Sequence, residues 1–121
     1  MANQRILIVE DDFLIRATLA ETLEDDGFEV LAAETGEQAV DIIRAGPGID
    51  LMMTDLGLSG GMNGRTLAAE VRGLRPDLPI IFMTGRPDLA AGITGPRDLI
   101  VAKPYMPSAL SAAASKLLAA Q

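Results

Sequence analysis

Five short apolar runs, each closed by polar residues, constrain this chain more than anything else in it. Ile6 to Val9, Phe28 to Ala32, Ile49 to Thr54, Leu78 to Thr84 and Leu99 to Ala102 are rich in Ile, Leu, Val or Met, and each reads as a buried strand. Between them apolar residues recur at helical spacing: Ile15, Leu19 and Leu23; Ala39, Ile42 and Ile43; Leu67, Val71 and Leu74. Gly27 should stop the first helix, Gly46-Pro47-Gly48 the second, and the third should end before Pro76. Pro107 and Ser108 open a last, alanine-rich helix through Ala120, with Leu110, Leu117 and Leu118 as its apolar stripe. The crossover from Arg86 to Arg97 holds Pro87, Gly92, Gly95 and Pro96, so the fourth helix is expected to be short or irregular. Alternating strands and helices imply right-handed βαβ units, hence an α/β fold of (βα)5 type with a parallel sheet covered on both faces. The 121 residues fit one domain, 1–121.

Composition narrows the chemistry. The chain has no histidine and no cysteine, so its chemistry must use carboxylates, hydroxyls and amines, without thiolate metal sites or disulfides. A net charge of −7 opposes contact with a phosphate backbone, and no direct DNA binding is expected. No apolar run reaches the length of a membrane span and the start is too short for a signal peptide, which predicts a cytoplasmic protein with no membrane partner. Nothing follows the fifth helix, so no output domain is expected on this chain.

In open parallel α/β sheets, ligands bind beyond the carboxyl ends of the strands. There the first run ends in Glu10-Asp11-Asp12, the third in Thr54-Asp55, the fourth in Thr84-Gly85 and the fifth in Lys103-Pro104. Each has an ordinary explanation alone: Asp12 as a helix cap, a lone Asp as a turn residue, Thr as a strand former, Met52 and Met53 as core filling. Together they need more, because two carboxylates 4 Å apart repel by about 4 kcal/mol at an effective dielectric near 20. Mg²⁺, or Mn²⁺, would neutralise them, taking one or two carboxylates plus water and phosphate oxygens. On this reading Asp55 is a nucleophile forming an aspartyl-phosphate, Lys103 pairs with one phosphoryl oxygen and Thr84 donates its hydroxyl to another. Gly85 leaves room for the donor, and Gly57 could offer its backbone carbonyl to the metal.

These residues, in this order, resemble the response-regulator receiver family of two-component signalling over essentially the whole chain. The resemblance implies a flavodoxin-like fold with sheet order 2-1-3-4-5. It implies Asp55 as phosphoacceptor, Asp11 as the main metal carboxylate, and Glu10 as its partner through water. It further implies a phosphoryl group taken from a histidine kinase, a phosphotransfer protein or a small phosphodonor, and a Lys103-Pro104 pair often joined by a cis peptide. Tyr105 stands where Phe is common, and Gly57 and Arg86 resemble positions that tune phosphoryl lifetime.

Three features depart from the pattern. Ile100 replaces the aromatic residue usual three positions before the lysine. The loop Gly57-Leu58-Ser59-Gly60-Gly61-Met62-Asn63-Gly64 is one residue longer than the common form, with Ser59 where Pro is usual. The short fourth helix alters a surface that many receivers use for docking. Phe82-Met83-Thr84-Gly85 resembles stand-alone receivers, whereas Gly60-Gly61-Met62-Asn63-Gly64 resembles those of hybrid sensor kinases. The alternative is a degenerate receiver serving as an unphosphorylated adaptor. A haloacid-dehalogenase-like phosphatase would need a second Asp where Gly57 stands, and in a flavodoxin Glu10-Asp11-Asp12 would repel the cofactor phosphate.

Overall fold

The computed structural model describes residues 3–58 and 61–119. Ten elements alternate: β1 (Arg5–Val9), α1 (Phe13–Asp25), β2 (Glu29–Ala33), α2 (Gly36–Ala45), β3 (Leu51–Asp55), α3 (Gly64–Leu74), β4 (Ile80–Thr84), α4 (Pro87–Ala90), β5 (Leu99–Ala102) and α5 (Pro107–Ala119). The strands form one parallel sheet in the order β2-β1-β3-β4-β5, as expected. Ala120, the expected end of the last helix, lies outside the described residues.

Strand alternation sorts the core into two layers. Leu7, Val9, Met52, Ile80 and Phe82 face α2, α3 and α4, meeting Val40, Ile43, Leu67, Val71 and Ala90. Ile6, Ile8, Met53, Ile81 and Met83 face α1 and α5, meeting Leu19, Leu23, Leu110, Ala114 and Leu117. Met52 and Met53 are fully buried, so they fill the core as anticipated.

The structure corrects several expectations. β3 and β4 are buried along their length and β1 from Ile6 onward; β2 and β5 are half-exposed because they form the sheet edges. The third and fourth runs enter the ladder two residues later than their apolar residues suggest. Pro79 has no N–H to give, so β4 starts at Ile80, whose N–H donates to Asp98 Oδ1 (2.9 Å). Asp50 turns the chain into β3 by accepting from Arg5 N (2.8 Å) and donating its own N–H to Arg5 O (2.8 Å). β2 is displaced by one residue, to Glu29–Ala33. Ile15 and Leu74, assigned to buried stripes, are each 39% exposed; Ile15 lies in the first turn of α1 and Leu74 is the last residue of α3.

Helix boundaries follow capping chemistry. Asp12, Thr35 and Asn63 accept from Ile15 N (3.0 Å), Gln38 N (3.1 Å) and Thr66 N (2.9 Å) through their side chains, each satisfying an otherwise orphaned N–H. Gly27 and Gly46 both have φ near +97°, the left-handed conformation that favours glycine after a helix. The fourth helix is a single turn, as its composition predicts.

Candidate functional site

The carboxyl edge of the sheet brings together the residues named from the sequence. Past β1, Glu10 N donates to Ala33 O (3.0 Å), which turns the Glu10 side chain inward until it is 1% exposed. Glu10 Oε2 accepts from Asp11 N (3.1 Å), and Arg16 Nη1 donates to Glu10 O (2.7 Å). Asp12 is exposed and caps α1.

Asp55 closes β3 and is 7% exposed. Its Oδ1 accepts from Gly57 N (2.8 Å), and its Oδ2 is ion-paired with Lys103 Nζ. Lys103 is tied to the end of β4 by its N–H, which donates to Thr84 O (2.8 Å); its peptide to Pro104 is cis. Thr84 Oγ1 accepts from Arg86 N (2.9 Å). Arg86 makes a two-point pair with exposed Asp88 (3.2 and 3.0 Å), which raises the arginine pKa and lowers the aspartate's. Ser59 and Gly60, the core of the lengthened loop, lie outside the described residues. Ile100 is half-buried against the α2–α3–α4 layer.

Electrostatics bear out the crowding. Burial, then the negative charge of Asp55, pushes the Glu10 carboxyl from 4.5 up to about 7; Asp11 adds to the rise, and Lys103 opposes it. A divalent cation fits this excess of negative charge beside hard oxygen donors. Among the described residues no three His, Cys, Asp or Glu side chains are grouped so as to hold a metal ion by themselves. Asp11, Glu10 and Asp55 are therefore electrostatic neighbours without forming a closed three-carboxylate site.

Several features here went unread in the sequence. A Cβ on Gly64 would lie 2.5 Å from Asp55 O and 2.6 Å from Leu56 Cα, so only glycine lets α3 start against the acceptor loop. The Tyr105 hydroxyl is buried without a partner among the described residues. Burial, then the charges of Glu10 and Asp55, pushes its pKa up to about 12. Two cavities flank Asp55 and Lys103. One, of about 320 Å³, is lined by Asp55, Gly57, Thr84, Gly85 and the arginines Arg65 and Arg86. The other, of about 560 Å³, is apolar and runs between α1 and the β5–α5 loop, with Leu14, Ile15, Pro104 and Tyr105 in its walls. The run Phe13-Leu14-Ile15 could have signalled the second; the first joins residues too far apart in sequence to be seen.

Comparison with known proteins agrees with this geometry. The family model described as "Response regulator receiver domain" matches residues 6–115. The transcriptional regulatory protein AruR of Pseudomonas aeruginosa is 36% identical over 94% of this chain and 49% of its own length. The aerobic respiration control protein ArcA of Escherichia coli K12 is 34% identical over 98% of this chain and 50% of its own. The chain thus spans about half the length of these curated relatives. A response regulator receiver protein from Sinorhizobium medicae superposes with a TM-score of 0.90 at 28% identity, covering 98% of this chain and 96% of that one. The receiver domain of the hybrid histidine kinase CckA gives 0.78 at 32% identity, over 94% and 98%. A buried acid braced by lysine at the carboxyl edge of a 2-1-3-4-5 sheet, with matches of this extent, means that the chain belongs to the response regulator receiver family of two-component signalling.

Proposed function

We propose that residues 1–121 act as one phosphoacceptor unit in which Asp55 takes a phosphoryl group from a histidine kinase or phosphotransfer protein. The observation that carries this reading is the setting of Asp55: buried, with one oxygen on the Gly57 N–H and the other on the Lys103 ammonium. An Asp55 oxygen attacks phosphorus, the P–N bond to the donor imidazole breaks, and its electron pair leaves with the ring nitrogen. Lys103 then pairs with a phosphoryl oxygen, and Thr84 turns its hydroxyl from the Arg86 N–H toward another. Asp11 and Asp55, with the Gly57 carbonyl and Glu10 acting through water, would hold Mg²⁺ or Mn²⁺, which spreads the charge gathering on the phosphoryl oxygens.

The added charge, about −1.5 to −2 at neutral pH, is read out by protein contacts in a cytoplasmic setting. No helix among the described residues is long and apolar enough to cross a membrane. Incubation with Mg²⁺ and acetyl phosphate should add one phosphoryl mass to the wild type and none to Asp55→Asn. An unmodified wild type would leave the adaptor reading in its place.

A further inference from the structure

Two arginines line the cavity over Asp55, and they differ in how they are held. Arg86 is committed to Asp88 through two nitrogens. Arg65, in the first turn of α3, meets no carboxylate among the described residues; its Nη1 donates only to the carbonyl of Leu89 in α4 (2.7 Å). Its guanidinium therefore spans the mouth of the cavity from α3 to α4 while keeping its charge and most of its donors free. Without a phosphoryl group, Lys103 already balances the single charge of Asp55. The charge that arrives with a phosphoryl group exceeds what one lysine neutralises, and Arg65 is the nearby cation with the weakest present tie.

We propose that Arg65 senses the phosphoryl group: it guides a small dianionic phosphodonor to Asp55, then turns to the bound phosphoryl oxygens and releases Leu89 O, loosening α4. The inference rests on Asp55 as phosphoacceptor. It gives the single-turn α4 a route to respond that does not pass through position 100, where isoleucine replaces the usual aromatic. A four-residue helix suits that role, because a single turn has little length over which to bond itself, and the amides of Leu89 (to Arg86 O) and Ile93 (to Ala90 O) report on its two ends, so a lost outside contact matters.

The test follows wild type, Arg65→Ala and Arg65→Lys with Mg²⁺ and acetyl phosphate, in which the P–O bond to acetate breaks as the Asp55 bond forms. Labelling of Asp55 is read by mass, and amide exchange at Leu89 and Ile93 is read in both states. Arg65→Ala should need about 2- to 5-fold more acetyl phosphate for half-maximal labelling, the size of an exposed charge interaction. Arg65→Lys, which keeps the charge, should stay close to wild type. Phosphorylation should speed exchange at the two α4 amides in wild type by about 3- to 10-fold. In Arg65→Ala these amides should already exchange fast and change no further. An Arg65→Ala protein that is labelled and responds like wild type overturns the inference and leaves the phosphoacceptor reading standing; a wild type that takes no phosphoryl group overturns both.

Discussion

At the scale of single residues, two buried polar groups carry unrelieved cost. Among the described residues the Tyr105 hydroxyl has no partner in its enclosed position, and a hydrogen bond left unmade there costs about 1–3 kcal/mol. Tyr105→Phe removes it at nearly constant shape, so urea unfolding should show a gain of about 1 kcal/mol. Glu10 is the second. Its folded carboxyl titrates near 7 against 4.5 in the reference state, so the native protein binds more protons than the unfolded chain between those values. This favourable contribution is complete below about 4.5 and is lost as pH rises through 7. The loss amounts to roughly 3 kcal/mol. Unfolding measured in EDTA should show stability falling from about pH 5 to about pH 7.5, and Glu10→Gln should flatten that fall. A wild type with no slope in this window would refute the assignment.

At the scale of elements, one side chain ties three segments. Asp98, just before β5, accepts from Ile80 N at the start of β4, from Gly95 N (2.6 Å) in the crossover, and from Arg72 of α3. By joining β4, the crossover and α3, this carboxylate sets where β5 enters the sheet and leads on to Lys103. Asp98→Ala would strand the Ile80 N–H and the Arg72 charge, and should cost about 3–5 kcal/mol by chemical denaturation. Asp98→Asn keeps an acceptor for Ile80 and should recover part of that loss. Equal losses for the two substitutions would mean that Asp98 acts by charge alone.

At the scale of the whole molecule, the sheet works as a frame that holds acidic ends of β1 and β3 together against their repulsion. The helices on both faces bury its apolar residues, and that burial holds carboxylates where water alone would let them part. A cation binding the folded arrangement alone must stabilise it by RT ln(1 + [L]/Kd), about 1.4 kcal/mol at ten times Kd. Thermal unfolding should therefore shift upward with Mg²⁺ in the wild type and by less in Asp11→Asn. An equal shift in both would remove Asp11 from the cation site.

Much of this was legible in the chain itself, because periodicity is local. A run such as Ile49 to Thr54, closed by Asp55, shows a strand and its polar terminus without reference to any partner, though not where the ladder begins, and Gly27 or Asp12 marks a helix end by its own conformational preference. From five such strand ends follow the (βα)5 order and the meeting of Glu10, Asp11, Asp55, Thr84 and Lys103 along one edge. What tertiary structure alone decided depends on residues distant in sequence. The edge position of β2 and β5 left them half-exposed, and the approach of α3 to the acceptor loop made Gly64 necessary. The reach of Asp98 to Ile80 and Arg72, the enclosure of the Tyr105 hydroxyl, and the span of Arg65 to Leu89 arise only once the layers close. No residue's own preference encodes these contacts; they come from packing, which sets distances between groups that the chain order leaves free.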